Sequence, residues 1–303
     1  MFISQVYMNN ISFGQRYSFA DLNRRYFEIN GHTFKSDIST IITSHDNMLG
    51  EGKNKIVYSL PNIAEYVIAL LKSQVKLTDC NIYSFEQVKN LLPKFNFGQC
   101  IADNNNGLKI LTRVNGKPHL LEDYVKRINS YTVNGDITQG DALRVLEKLK
   151  KLEGFPQESF DILIQKIIYL NRKNVRIDTI NPNNILIEYN TKEINPIDVE
   201  FNFHTQNIKP PYNGYNDIIY MLLNPLLHNI VLEKLPLTKK MEFIKVTKNL
   251  VNKIKHSADN IGLSSSVSTS RQVYREHDDF FKNHNINVNI LDSFEKFNKI
   301  YLQ

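Results

Sequence analysis

Val175-Arg176-Ile177-Asp178-Thr179-Ile180-Asn181-Pro182-Asn183-Asn184-Ile185-Leu186 is the stretch on which the reading of this 303-residue chain turns. It follows residues 157–173, whose apolar side chains recur at i, i+3, i+4 and i+7 as on one face of a helix, and it runs into Ile185–Ile187, a short strand-like segment. An aspartate, a proline-containing loop and an asparagine at the mouth of a strand supply a carboxylate to orient a hydroxyl and an amide to hold Mg²⁺, the needs of phosphoryl transfer. Beyond a turn at Asn190-Thr191, a second strand-like run (194–199) contains Asn195-Pro196-Ile197-Asp198-Val199-Glu200. Asp198 at its end is placed to supply a second oxygen ligand to the same metal.

Two further pieces lie upstream. In Leu49-Gly50-Glu51-Gly52-Lys53-Asn54-Lys55-Ile56-Val57-Tyr58, Gly50 and Gly52 allow a turn between strands to bring backbone N–H groups against phosphate oxygens with no Cβ in the way. Tyr66-Val67-Ile68-Ala69-Leu70-Leu71-Lys72 reads as an apolar strand ending in a lysine, which must reach water or an anion. A helix beginning at Ser84 and limited by Pro93 offers Glu86 as the nearest sensible carboxylate for Lys72.

The order of elements is a β-rich part followed by an α-rich part. Asn30-Gly31 marks a hairpin turn near the start. Residues 107–114 read as a strand ending in the Asn115-Gly116 turn. Residues 141–152, 157–173, 215–235 and 239–256 carry helical periodicity, and a Ser-rich break at 264–270 precedes a last helix over 292–301. The expected division is a leader at 1–40, a β-rich lobe at 41–114, an α-rich lobe at 115–260 and a linker with a helical extension at 261–303.

Composition narrows the class. With 42% hydrophobic and 22% charged residues the chain is neither fibrous nor disordered, and no apolar run approaches the roughly 20 residues a membrane-spanning helix needs. The first twenty residues lack the basic start and continuous apolar run of a Sec signal peptide. Two cysteines, Cys80 and Cys100, cannot build a disulfide framework or a four-cysteine zinc site. The eight histidines lack metal-ligand spacing and read as surface or capping residues. The net charge of +6 is concentrated in KKMEFIKVTKNLVNKIKH (239–256), read as an amphipathic helix with a basic outer face around Met241, Ile244, Leu250, Val251 and Ile254. That face suits an acidic protein partner, a phospholipid headgroup or RNA. Without tryptophan or interleaved aromatic and basic residues, nucleic acid is not the expected partner.

In order and spacing these pieces resemble the eukaryotic-type protein kinase fold, and in detail they resemble the short kinases that bacteria deliver into host cells, the OspG and NleH group of type III effectors. The likeness covers about residues 45–205 and rests on the Gly-x-Gly turn ending in Val57-Tyr58, on Arg113-Val114-Asn115-Gly116 and on Asn184-Ile185-Leu186 followed by Asn195-Pro196-Ile197-Asp198. It implies an α+β, two-lobed fold and an ATP- and Mg²⁺-dependent Ser/Thr protein kinase. On this likeness Gly50 and Gly52 cover the phosphates, Lys72 binds them and pairs with Glu86, and Asp178 is the catalytic carboxylate. Asn184 and Asp198 coordinate Mg²⁺, while adenine lies against Val57, Ala69 and the segment from Leu111 to Val114. It further implies a bacterial protein secreted into a host cell, there meeting a host protein substrate or activator.

The chain departs from the pattern in several places. Lys55 stands where a third glycine is usual, no His-Arg precedes Asp178, and no Ala-Pro-Glu follows Asp198. The Asp178–Asn184 interval is one residue longer than the family's, so an ungapped register puts Thr179 in the catalytic place. A catalytically weak binding module and a small-molecule kinase of the aminoglycoside-phosphotransferase type are the alternatives.

Overall fold

In the computed structural model, the described residues are 27–29, 32–34, 41, 44–51, 55–60, 63–71, 95–103, 108–119, 137–172, 184–197, 213–265, 271, 274–275, 278–279, 282–283 and 290–303. The chain is α+β and divides between Val114 and Asn115 into two compact units.

In the first unit, β1 (Phe27–Ile29) and β2 (His32–Phe34) form an antiparallel pair with Ile29 opposite His32, flanking the Asn30-Gly31 pair. A five-stranded antiparallel sheet follows, built from β3 (Met48–Glu51), β4 (Lys55–Leu60), β5 (Ile63–Leu71), β6 (Cys100–Asp103) and β7 (Leu108–Thr112) in the order β3-β4-β5-β7-β6. These are β-branched and aromatic segments. Burial of Tyr58, Leu60, Ile63, Tyr66, Val67, Ile68 and Ile110 is what holds them together. The helix expected from Ser84 lies outside the described residues.

The second unit opens with β8 (Lys117–Pro118), which joins β9 (Ile185–Glu188) and β10 (Glu193–Pro196) in a three-stranded antiparallel sheet of order β10-β9-β8. Its described helices are α1 (Gln139–Glu153), α2 (Gln157–Arg172), α3 (Tyr215–Leu223), α4 (Pro225–Lys234), α5 (Leu237–Ile261) and α6 (Ile290–Tyr301). Thr138 caps α1: its hydroxyl accepts from Asp141 N–H at 3.1 Å while the Asp141 carboxylate accepts from Thr138 N–H at 2.9 Å. Helix α5 is the spine of the unit, packing on α1, α2 and α3 through Phe243, Val246, Leu250, Val251 and Ile254, all buried. Helix α6 closes the far side, setting Phe294 and Phe297 against Tyr220.

Three expectations are corrected. The helix expected over 215–235 is two helices, because Pro225 excludes helical backbone from the residue before it; Asn224 turns to φ 38° and caps α4 by accepting from Leu227 N–H at 3.0 Å. Met241, assigned to the apolar side of its helix, is 71% exposed, since the packed face of α5 runs through Phe243 and Val246. His119 and His228 are fully buried, not surface or capping residues.

Candidate functional site

Of the residues expected to touch a nucleotide base, Val57, Ala69 and Leu111 fall on one face of the first unit's sheet. Val57 pairs with Ala69 across β4 and β5, and Val67 pairs with Leu111 across β5 and β7. Alternate positions of a strand share a face, so Val57, Ala69 and Leu111 lie together. Lys109, opposite Ala69 in β7 and only 4% exposed, is on the same face and was missed in the sequence. The signal available was a lysine interrupting the apolar run Leu108-Lys109-Ile110-Leu111. On its other side the register sets Asp103 opposite Lys109. Lys72 follows β5 in the sequence and lies outside the described residues.

Beyond Leu111 the chain is pinned. The Thr112 hydroxyl accepts from Gln99 N–H at 2.8 Å and lies 2.8 Å from the Asn96 carboxamide oxygen, to which it can donate. Asn96 donates to the Arg113 carbonyl at 2.6 Å, and Arg113 N–H donates to the Glu65 carbonyl at 2.7 Å. These bonds tie Thr112 and Arg113 to the 95–99 stretch and to β5. Gly50, in β3, has open space where a Cβ would stand. Gly52 is outside the described residues.

In the second unit the β9–β10 hairpin brings together residues far apart in sequence. Ile185 faces Pro196, and on the next rung Ile197 N–H donates to the Asn184 carbonyl at 2.8 Å. Asn184, 3% exposed, and the residue just before Asp198 therefore meet at one end of the hairpin. Asp178, Thr179 and Asp198 are outside the described residues, as is Glu86.

The hairpin is anchored from beneath by a buried lysine. Lys166 of α2 donates to the Asn195 carboxamide oxygen at 2.6 Å and to the Ile194 carbonyl at 3.2 Å. Asn195 in turn donates to the Asn115 carbonyl at 3.1 Å, tying β10 to the first residue of the unit. Burial pushes the Lys166 ammonium down to about 8, with Glu193 opposing. At neutral pH it remains largely a cation, and its donors hold β10 in place. Asn171 and Asn213 clasp each other at the two ends of the segment carrying this hairpin: Asn171 donates to the Asn213 carbonyl at 2.7 Å and accepts from Asn213 N–H at 3.0 Å.

No family model matches this chain, and no curated protein does. Among solved structures, it is similar to choline kinase LicA from Streptococcus pneumoniae. That likeness has 10% identity and a TM-score of 0.24, and covers 76% of this chain and 90% of the other.

The donors that would take Mg²⁺ are an amide oxygen and a carboxylate, hard oxygen ligands of the type that ion prefers. The hairpin register brings Asn184 beside Ile197, the residue preceding Asp198 in the sequence. Among the described residues no cluster of His, Cys, Asp and Glu forms a separate metal site, and no helix is long and apolar enough to cross a membrane.

Proposed function

We propose that the chain is an ATP- and Mg²⁺-dependent phosphotransferase of the two-lobed protein-kinase type, with Ser or Thr hydroxyls of proteins, its own among them, as acceptors. The observation that carries the reading is the meeting of Asn184 with residue 197 at one end of the β9–β10 hairpin, which converts two separate sequence motifs into one candidate metal-binding end. The antiparallel order β3-β4-β5-β7-β6 supports it as well. So does the shared face of Val57, Ala69 and Leu111.

In this mechanism the apolar face formed by Val57, Ala69 and Leu111 takes the base, and the glycine turn covers the phosphates. Asn184 and Asp198 would hold Mg²⁺, and the ion would supply charge neutralisation for phosphoryl transfer. Asp178 accepts or orients the proton of the attacking hydroxyl, and the Lys166–Asn195–Asn115 chain keeps the hairpin from shifting under load. Positioning and charge neutralisation do most of the catalytic work. Delivery into a host cell and action on host proteins belong to the same proposal and rest on the effector-like motifs alone.

Labelled γ-phosphate transfer from ATP to the protein itself and to host-cell lysate tests this. Wild-type protein is expected to take up label with Mg²⁺, and Asp178→Ala to lose at least a hundredfold of the rate, the span typical of a positioned acid–base group. Thr179→Ala should retain activity; the reverse pattern would move the catalytic place to Thr179. Lys72→Ala and Lys109→Ala, compared side by side, decide which lysine serves the phosphates. No label in any wild-type condition rejects the enzymatic reading.

A further inference from the structure

Helix α5 carries six lysines and one glutamate between Leu237 and His256, but its lysines are not equivalent. Lys253 is committed to the fold: its ammonium donates to the Glu153 and Phe155 carbonyls, both at 2.6 Å, and lies over the Phe160 ring. Lys239 is held by Glu242 at 2.6 Å, and Glu242 is also bridged by Lys150 of α1 at 3.0 Å, so the one acid of this stretch is already neutralised. Lys240, Lys245 and Lys248 have no ion-pair partner among the described residues.

The same end of α5 presents apolar side chains to solvent. Leu237 is 82% and Met241 71% exposed, well above the other exposed large apolar residues described, of which Leu49 at 47% comes next. Four positions apart, they stand one turn above the other on one face, and that face continues through Lys245 and Lys248, both exposed. Lys234, at the end of α4, is exposed just before the helix begins. Glu233 beside it is also exposed.

We propose that this face docks on an anionic lipid bilayer, with Leu237 and Met241 entering the headgroup boundary and Lys234, Lys240, Lys245 and Lys248 meeting lipid phosphates and carboxylates. Both apolar side chains stand almost wholly in solvent, which suits a deformable lipid interface. Cations flank them, and Glu242 within the stretch is paired with Lys239 and Lys150, which leaves the net positive pattern that negative headgroups complement. The helix lies on the membrane; it does not span it. This inference is independent of the proposed phosphotransfer.

Co-sedimentation of the full chain with vesicles tests it, using phosphatidylcholine with roughly one-third phosphatidylserine against phosphatidylcholine alone. Binding is expected to the anionic vesicles only and to fall steeply with added salt. The paired substitutions Leu237→Gln with Met241→Gln, and Lys245→Gln with Lys248→Gln, should each weaken it at least tenfold while leaving the far-UV spectrum and thermal midpoint unchanged. No binding of the wild type to anionic vesicles overturns the proposal, as does binding that neither pair weakens. Binding to a polyglutamate peptide without binding to vesicles also overturns it, in favour of an acidic protein partner.

Discussion

Lowering the pH from 7 to 5 is expected to remove about 4 kcal/mol from the stability of the helical unit, through His119 and His228. Burial holds both imidazoles down to about 3; the Lys148 charge adds to the effect at His119, while the Leu222 backbone opposes it there and Asn229 opposes it at His228. Both ring nitrogens of His119 are shut inside the core, and His228 meets the Tyr301 hydroxyl through Nε2 at 2.9 Å while packed near Phe243. In the unfolded chain each ring takes up a proton near its ordinary value of 6.5. Between that value and about 3 the unfolded state thus binds more protons than the folded one, so this contribution is complete above 6.5 and is lost progressively as the pH falls. At pH 5 each ring accounts for roughly 2 kcal/mol. Urea unfolding followed by the helical signal at the two pH values measures it. Replacing both histidines by glutamine should flatten the dependence, and equal stability of the wild type at the two pH values would mean that the rings are not shut away from water.

The second large effect is expected at Gly116. Its φ is +122°, outside what an L side chain adopts at ease, and an added Cβ would stand 3.0 Å from both the Leu186 Cβ and the Ile187 carbonyl carbon. Gly116→Ala should cost about 2–4 kcal/mol, combining backbone strain with overpacking against a strand that has little room to give. In a unit of this size that corresponds to a thermal midpoint lowered by roughly 5–12 °C. Because Leu186 and Ile187 continue directly from Asn184, the same substitution should also weaken Mg²⁺-dependent nucleotide binding. Gly50→Ala is the contrast: with open space around the added methyl group, stability should be unchanged. Equal melting of Gly116→Ala and wild type would contradict the close approach of residue 116 to β9.

Much of this fold is legible because local chemistry decided it. Asn115-Gly116 marks a turn whatever surrounds it, and the 3.6-residue periodicity of 141–152 and 157–173 matches α1 and α2. Gly50 lies in β3, and the apolar runs that follow are β4 and β5. What escaped reading depends on partners distant in sequence. A lone histidine looks alike on a surface and in a core, and only the packing of Phe243, Phe297 and Tyr301 around His228 decides between them. Lys253 belongs to a basic helix in the sequence but to the α1–α2 junction in the structure. Asn195 was read merely as the residue before Pro196, yet it joins Lys166 to Asn115 across long separations. The break at Asn224 was legible, since Pro225 announces it, but strong apolar periodicity on both sides concealed it.

For the candidate site, the sequence supplied the residue types and the structure supplies a register. Val57, Ala69 and Leu111 were grouped by motif and share a face by strand pairing. Asn184 and Asp198 were grouped as ligands of one ion, and a backbone hydrogen bond brings residue 184 to residue 197.

Calorimetric titration with a non-hydrolysable ATP analogue, with and without Mg²⁺, tests the central claim most directly. The account predicts saturable binding by the wild type that requires Mg²⁺, and at least tenfold weaker Mg²⁺-dependent binding in Asp198→Ala with the fold unchanged. Nucleotide binding by neither protein, or binding indifferent to both Mg²⁺ and Asp198, would contradict it.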